Sequence, residues 1–540
     1  MALGENKADA ICALYDHLKA DRYNWESHWE EVAERIYPQV KDSFDSNYAT
    51  KGEKRNQEVF DSTAMVALNR FAAILDSLLT PRNQEWHKLI PADRELRKNR
   101  QARLYYEEVN KILFRARYAP SANFSGQNQM SFKNLGAFGS AGLFIDELMG
   151  QPERGVRYKN VHLAELFFAE NHQGIIDTVV RCFKMTVRQA VQRFGEERLS
   201  SALVNKLETH PEDEYEFLHY VGPNEDLDLS RADFKGMRFA SFYVEMGVKE
   251  IIEEGGFNTF PYAPSRYEQA PNEVYGRSPA MEILPSIKTL NEQKKTLLKQ
   301  GHRAVDPVYL VHDDGILDNF SVIPGAANAG GVTKDGRPLV QTLPVGNVNA
   351  GRDMMEDERQ LIKDSFLVTL FQILTENPQM TATEVLERTK EKGILLAPTL
   401  GRQESERLGP QIERELDLLS RMGMLPEPPP VVQEAGAAFD IIYDSPLSRA
   451  QRSGEAAGLM RTFEMTIGHA QATGDVSGFD HFNMDAIIPD LADINAVPTK
   501  WLNSLEDIQR KRQARAQQQQ QQQAIQAAPS VAAVSKATQG

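Results

Sequence analysis

YGRSPAMEILPSIKTLNEQKKTLLKQGHR runs from Tyr275 to Arg303. Ser278 is placed to cap a helix and Pro279 stands at its first helical position. Ile283, Ile287 and Leu290 fall on one face, and Leu297 follows Leu290 by a heptad. Pro285 lies inside the pattern and predicts a kink near the start. The later part is basic, with Lys288, Lys294, Lys295, Lys299 and Arg303. Those charges complement a helix C-terminus.

Downstream, residues 305–350 hold short β-like pieces (PVYLV, FSVIP, PLVQTLPV) and glycine-rich turns (PGAANAGG, KDGRP). This predicts a small insertion with little core of its own. A second long helix is predicted over about Met354–Leu374, with Ile362, Phe366, Leu370 and Ile373 on one stripe. LTENPQMTATEV (Leu374–Val385) then breaks it. Pro378 cannot continue a helix and restricts Asn377, while Thr381 to Glu384 form a capping box that starts the next one. That helical region is expected to reach about Met422, with bends near Gly393 and Pro398. Without the break the rod would be on the order of 60 Å long. PEPPP (Pro426–Pro430) reads as a stiff linker, and 446–510 as a smaller helical region. The tail KRQARAQQQQQQQAIQAAPS is low-complexity, and reads as disordered or as a frayed helix extension.

Upstream, the chain to about residue 272 reads as mixed α+β. One helix is expected over 5–36, with Trp25, Trp29, Val32 and Ile36 at helical spacing, ended by Tyr37-Pro38. Another runs from about Ser62 to Leu79 on Met65, Leu68, Phe71, Ile74 and Leu78, and Pro81 stops it. Residues 97–117 and 125–135 read as helices. LGAFGSAGLFID (Leu135–Asp146) has glycines three apart. Close packing of a helix end onto a strand explains them better than a phosphate cradle, since no Lys-Ser/Thr follows. Strand signals cluster at 156–185 and 237–262, with a turn expected at Gly255–Gly256. Thr186 to Gly195 is a short capped helix.

The chain has 540 residues, net charge −15, 41% hydrophobic and 25% charged residues. That is ordinary for a soluble globular protein of several domains. No apolar run reaches membrane-spanning length, and the N-terminus reads as an amphipathic helix, not a signal peptide. Cys12 and Cys182 are far apart and suggest neither a disulfide framework nor a metal site. Cys12, beside Ala10, Ile11 and Leu14, is expected in the core. The acidic balance argues against a general basic nucleic-acid binder, though an acidic wall suits a protein that lets nucleic acid pass. There is no GxxxxGK[ST], HExxH, GxSxG or zinc spacing. His162, His172, His210 and His219 are scattered, and Glu253-Glu254 reads as part of a solvated turn. No catalytic residue, metal or cofactor is expected.

In order, YGRSPAMEILPSIKTLNE, the β-rich insertion, MEDERQLIKDSFLVTLF, a short loop and TATEVLERTKEKG resemble the portal proteins of short-tailed bacteriophages. This is the head-to-tail connector family of T7-like and related podoviruses. DSTAMVALNRFAAILDSLLTPRNQEWHKL, GIIDTVVRCFKMTVRQAVQRFG, YDSPLSRAQR and the glutamine-rich tail add to the likeness. The resemblance implies an α+β, predominantly helical portal-type fold with wing, stem, clip and crown. Such chains assemble as a ring, usually of twelve, around an axial tunnel for double-stranded DNA. It assigns 1–275 to the wing, 276–304 to the first stem helix and 305–350 to the clip. The second stem helix would be 351–374, the tunnel loop 375–381, and the long kinked wing helix with its linker 382–430. The C-terminal helical region including the crown would be 431–510, and the tail 511–540.

The loop's DNA-facing residues would be Thr375, Glu376, Asn377, Pro378, Gln379, Met380 and Thr381. They are mostly neutral and polar, and can meet phosphates without trapping them. Lys288, Lys294, Lys295, Lys299 and Arg303 would touch DNA or, somewhat preferred, neighbouring subunits. The implied partners are copies of itself, double-stranded DNA, the major capsid protein, scaffolding protein, the terminase large subunit, a tail adaptor and internal core or ejection proteins. No membrane is implied, and the setting would be the virion's portal vertex, with the host cytoplasm during assembly. Twelve helices side by side at about 10 Å would ring a bore of roughly 28 Å, wide enough for a duplex. Two other readings are a non-viral helical scaffold or adaptor, and a DNA-processing enzyme with an unfamiliar site.

Overall fold

The computed structural model describes residues 6–44, 52–148, 155–311, 320–344, 348–369, 397–444, 446–475, 477–494, 497, 499–503 and 507–520. The chain forms two compact units. One comprises Met1–Thr80, Arg117–Val385 and Ile394–Leu419; the other comprises Pro81–Ala116, Leu386–Gly393 and Ser420–Gly540. The architecture is mixed α+β. Helices are α1 (Lys7–Asp21), α2 (Tyr23–Ile36), α3 (Thr63–Leu79), α4 (Arg100–Arg117), α5 (Phe124–Phe138), α6 (Val187–Phe194), α7 (Ser201–Val204), α8 (Pro279–Glu282), α9 (Leu284–Val305) and α10 (Val348–Ser365), with further helices after residue 396. Strands are β1 (His87–Pro91), β2 (Ser140–Glu147), β3 (Val156–Val161), β4 (Leu166–Glu170), β5 (Ile176–Thr186), β6 (Glu214–Pro223), β7 (Phe239–Glu245), β8 (Glu250–Phe257), β9 (Tyr262–Arg266), β10 (Tyr309–Val311), β11 (Val340–Thr342) and β12 (Phe439–Tyr443).

The first unit contains an antiparallel sheet in the order β4-β5-β6-β7-β8 and a smaller one in the order β3-β2-β9. Helix α1 covers one face of the larger sheet. Its Ala8, Ile11, Cys12 and Tyr15, at helical spacing, pack on Phe167, Val180, Leu218 and Phe242, so Cys12 is a core residue. On the other face, Val187, Ala190 and Phe194 of α6 pack on Phe217 and Ile252. The α6 cap is as expected: Thr186 and Gln189 form a reciprocal capping box. Strand β6 escaped the sequence reading because both its faces are covered. FLHYVG is a continuous buried run without the alternation that marks a half-exposed strand.

Three expectations change. The helix expected over 5–36 is two helices, α1 and α2, that meet at Arg22. Arg22 is 2% exposed and its guanidinium donates to the carbonyls of Leu163, Ala164 and Leu166 while lying over the Phe167 ring. Those bonds to the β4 approach hold the junction. Second, Gly255 and Gly256 are not a turn; they lie in β8 opposite Ser241 and Ala240, and the turn is at 246–249. A Cβ at Gly256 would stand 2.8 Å from the Phe234 carbonyl oxygen, which is why glycine is needed there. Glu253 accordingly sits on a strand, paired with Arg193 at 3.1 Å. Third, α3 buries Ala64, Ala67, Leu68, Phe71, Ala72, Leu75 and Leu79, whereas Met65, Ile74 and Leu78 are half-buried. Its stripe is turned towards the small residues, which let α5 approach.

The glycine series in LGAFGSAGLFID is close packing. A Cβ on Gly136 would stand 2.6 Å from the Phe71 ring, and one on Gly142 2.5 Å from Leu166. Gly139 caps α5 at φ +72, and its Cβ would lie 2.1 Å from the Gly276 carbonyl oxygen. Around this backbone crossing, Tyr267 N–H donates to the Gly139 carbonyl (2.9 Å) and Gly276 N–H to Ser140 Oγ (2.8 Å).

Residues 397–421 run helically, with a π-helical turn at Glu404–Leu408. Pro410 follows that turn and cannot donate to a preceding carbonyl, which accounts for the widened winding. Gln403, Arg407, Gln411, Arg414 and Glu415 are all buried. Arg117 and Tyr158 both bond Glu415, whose carboxylate also accepts from Gln411. Burial, and next the Glu415 charge, hold the Tyr158 hydroxyl well above its ordinary range.

In the second unit β1 pairs antiparallel with β12, far away in sequence. Tyr106 Oη donates to the Ala438 carbonyl (3.0 Å) and Arg97 pairs with Asp440 (2.6 Å). The proline run ends in a short helix, Pro430–Glu434. Helices Pro446–Thr473 and Met484–Ile494 follow, and the tail is helical over 507–520.

Alanine at Gly139 should lower the unfolding midpoint far more than alanine at Gly174. Both have positive φ, but nothing lies within 4 Å of a Cβ at Gly174. The Gly174→Ala cost should be about 1–2 kcal/mol. Gly139→Ala should exceed ~3 kcal/mol, because backbone must move. Equal shifts in thermal unfolding would refute the close crossing.

Candidate functional site

Helices α8 and α9 are built from the stretch first quoted, and the hairpin β10–β11 and helix α10 follow it. Ser278 is fully buried; its Oγ accepts from Met281 N–H (3.0 Å) and donates to the Ala137 carbonyl (2.8 Å). The helix breaks at Ile283 (φ −91, ψ 3) and restarts at Leu284 with Pro285 in its first turn. This is the kink that Pro285 requires, since it has no N–H for the preceding turn. Only Leu284, Ile287 and Leu290 of α9 are buried. Beyond them Leu298 is 44% and Val305 88% exposed.

Helix α10 begins at Val348, earlier than the sequence suggested, and ends at Ser365; Leu367 has φ +60. Ile362 and Phe366 are buried as the stripe predicts, while Leu370 and Ile373 lie outside the described residues. Ser365 Oγ lies 3.3 Å from the Pro279 carbonyl oxygen, and Gly351 faces Leu297. One helix therefore climbs as the other descends. Between them runs a shallow groove of about 650 Å³, lined by Thr289, Gln293, Leu297, Gly351 and Met354 among others. Among the described residues of the connecting insertion, β10 pairs antiparallel with β11. Val322, Ile323 and Val332 there are 63%, 71% and 60% exposed.

The five basic residues fare differently. Lys288 pairs with Glu31 of α2 at 2.5 Å. Lys295 pairs with Glu292 (3.5 Å) and stands over the Phe60 ring. Lys294 is half-buried, Lys299 and Arg303 are exposed, and none of the three has an acidic partner among the described residues. The loop Thr375, Glu376, Asn377, Pro378, Gln379, Met380 and Thr381 lies outside the described residues, as does the following capping box.

The sequence reading missed a strap of residues 58–61 across both long helices. Asn291 of α9 accepts from Phe60 N–H (2.7 Å) and donates to the Glu58 carbonyl (2.9 Å). Arg359 of α10 pairs with Asp61 at 2.8 Å. Asp61 also receives the Thr63 N–H at 3.0 Å. Burial pushes the Asp61 pKa up, but the Thr63 and Arg359 hydrogen bonds outweigh it and the net shift is downward. A cation within the acidic MEDERQL was the only signal available. Among the described residues, no three His, Cys, Asp or Glu are grouped to hold a metal, and no helix is long and apolar enough to cross a membrane.

Replacing Arg359 with Met should cost about 1–3 kcal/mol by removing the charge partner of the shielded Asp61 carboxylate. Lys288→Gln should cost under about 1 kcal/mol, since that pair is largely exposed. The Asp61 contribution is present above its ordinary pKa of 3.8 and is lost as pH falls through its lower folded value. Thermal unfolding from about pH 7 to pH 2 should show a smaller acid step in Arg359→Met than in the parent, since the Thr63 hydrogen bonds remain.

Comparison with known proteins follows the same geography. A family model described as bacteriophage head to tail connecting protein matches residues 8–502. The probable portal protein of Bordetella phage BPP-1 is 28% identical, over 82% of this chain and 80% of its own. The portal protein of Salmonella phage epsilon15 is 26% identical, over 100% of this chain and 95% of its own. The chain belongs to the bacteriophage head-to-tail connecting protein family.

Proposed function

We propose that this chain is a phage portal: a ring at one capsid vertex through which double-stranded DNA is packaged and later ejected. The family match over 8–502 carries the proposal. The relatives named as portal proteins support it. So does the physics of the α9–β10–β11–α10 hairpin. Leu298, Val305, Met354 and Leu361 on its helices are each between 44% and 88% exposed. A pair of short strands is marginal by itself, and apolar surface of this extent calls for a cover. In this reading α8–α9 and α10 are the stem, the insertion between them is the clip, and neighbouring copies supply the cover. The loop 375–381 faces the DNA, and Lys294, Lys299 and Arg303 meet phosphates or the next subunit. Capsid and scaffolding proteins, the terminase and then a tail adaptor use the ring as a platform. The reading assigns no reaction to the chain.

End-on electron microscopy and light scattering of the full chain test the assembly. A ring near twelve times 60.8 kDa, with a central channel, is the expected result. A lone subunit at high concentration refutes it. Replacing Asn377 and Pro378 with alanine removes the helix breaker that the sequence places in this loop. DNA packaging in an in vitro assay should then fall at least about tenfold with ring yield unchanged, the loss of roughly 1.4 kcal/mol or more in the loop's role. Unimpaired packaging removes the loop from the mechanism.

A further inference from the structure

We infer that the first unit holds a pair of internal water sites against Arg407, one towards Gln403 and one towards Gln411. These residues take every fourth position on the helical segment 397–421 and so share a face. None of the three has exposed surface. Each is only partly used by the fold. Gln403 Nε2 donates to the Arg266 carbonyl (2.7 Å) and Gln411 Nε2 to the Glu415 carboxylate (2.8 Å). That fixes both amides and leaves each Oε1 as an acceptor. Those two oxygens are buried and have no partner among the described residues. Arg407 uses Nη2 on Asn128 Oδ1, while its Nε and Nη1, equally buried, are unpaired there. Ser131, one turn from Asn128 on α5, adds a buried hydroxyl without a partner.

The order along the face is acceptor, donors, acceptor. Buried groups of this kind are costly when unpaired, and native interiors pair nearly all of them. The same order selects the occupant. A cation would meet the Arg407 charge. An anion would suit the guanidinium but would face an amide oxygen on either side. The guanidinium also has a carboxylate at one remove, since Asn128 Nδ2 donates to Asp76 Oδ1 (2.6 Å). Water alone can donate to a Gln oxygen and accept from the guanidinium in one molecule, and it needs only about two to four polar partners. Room comes from the winding. Arg407 lies inside the π-helical turn Glu404–Leu408, where Gly409 N–H bonds the Glu404 carbonyl five residues back. The Phe132 ring, its centroid 4.3 Å from Arg407 Cζ, covers the guanidinium. Every group named lies inside one unit, so the site does not depend on what the chain assembles into.

A crystal structure of the full chain at about 2 Å or better tests the inference. Two solvent peaks are expected within about 3.2 Å of Arg407 Nε or Nη1, one also in reach of Gln403 Oε1 and the other of Gln411 Oε1. Gln403→Leu should remove the first peak and keep the second, and Gln411→Leu should do the reverse. Crystals grown in bromide should show no anomalous signal at either position. In thermal unfolding, Gln403→Leu and Arg407→Met together should shift the midpoint by less than the sum of the single shifts, because both act on one water. The inference is overturned if either position is empty in the parent, if Arg407 bonds Gln403 or Gln411 directly, or if bromide takes a peak. Additive midpoint shifts overturn it as well. Should Arg407→Met not fold, the parent map and the two glutamine variants decide. A chain that shows both peaks but forms no ring would sink the portal proposal and leave these sites standing.

Discussion

Two backbones touch where α5 turns into β2 and where the chain turns towards α8. Gly139 and Gly276 leave no room for a side chain on either partner. Everything that projects from the first unit is aimed by that crossing. Ser278, two residues on, caps α8 and at the same time bonds the last turn of α5 through the Ala137 carbonyl. The direction of the long helices is therefore set by a fixed backbone contact and a buried hydroxyl with both roles used. Apolar packing could slide; this contact cannot, because a shift leaves buried polar groups unpaired.

A second constraint is polar and lies deeper. The helix through 403–415 carries two arginines, two glutamines and a glutamate into the interior. Arg117, Tyr158 and Gln411 surround Glu415, and Arg414 donates to the Ile145 carbonyl. Arg407 is less well served. It bonds Asn128 and lies over Phe132, and burial brings its pKa down to about 10. Such a ladder adds little net stability over an apolar core. It does fix register, because each buried charge has its partner at one position along the helix axis.

Against this well-filled interior, the outer reaches of α9 and α10 and their hairpin look unfinished. The strap through Asn291, Asp61 and Arg359 secures their inner ends. Past it, apolar side chains face solvent. The chain thus divides into an inner part that is packed and an outer part whose apolar side chains are left uncovered among the described residues.

The sequence by itself determined the local elements and their punctuation. Ser278-Pro279, the Pro285 break, the Thr186 capping box and the core position of Cys12 were all legible, because caps, prolines and helical periodicity act within a few residues. The connector resemblance was legible too, from the order of its segments. Other features depend on contacts far apart in the chain, which local pattern cannot carry. β6 is covered on both faces and so shows no alternation. The break at Arg22 answers to carbonyls near Leu163, and the β1–β12 pairing joins chain segments hundreds of residues apart. The strap on the long helices is of the same kind. Tertiary structure decided them because a buried donor, or an exposed charge, is defined by what the fold brings next to it.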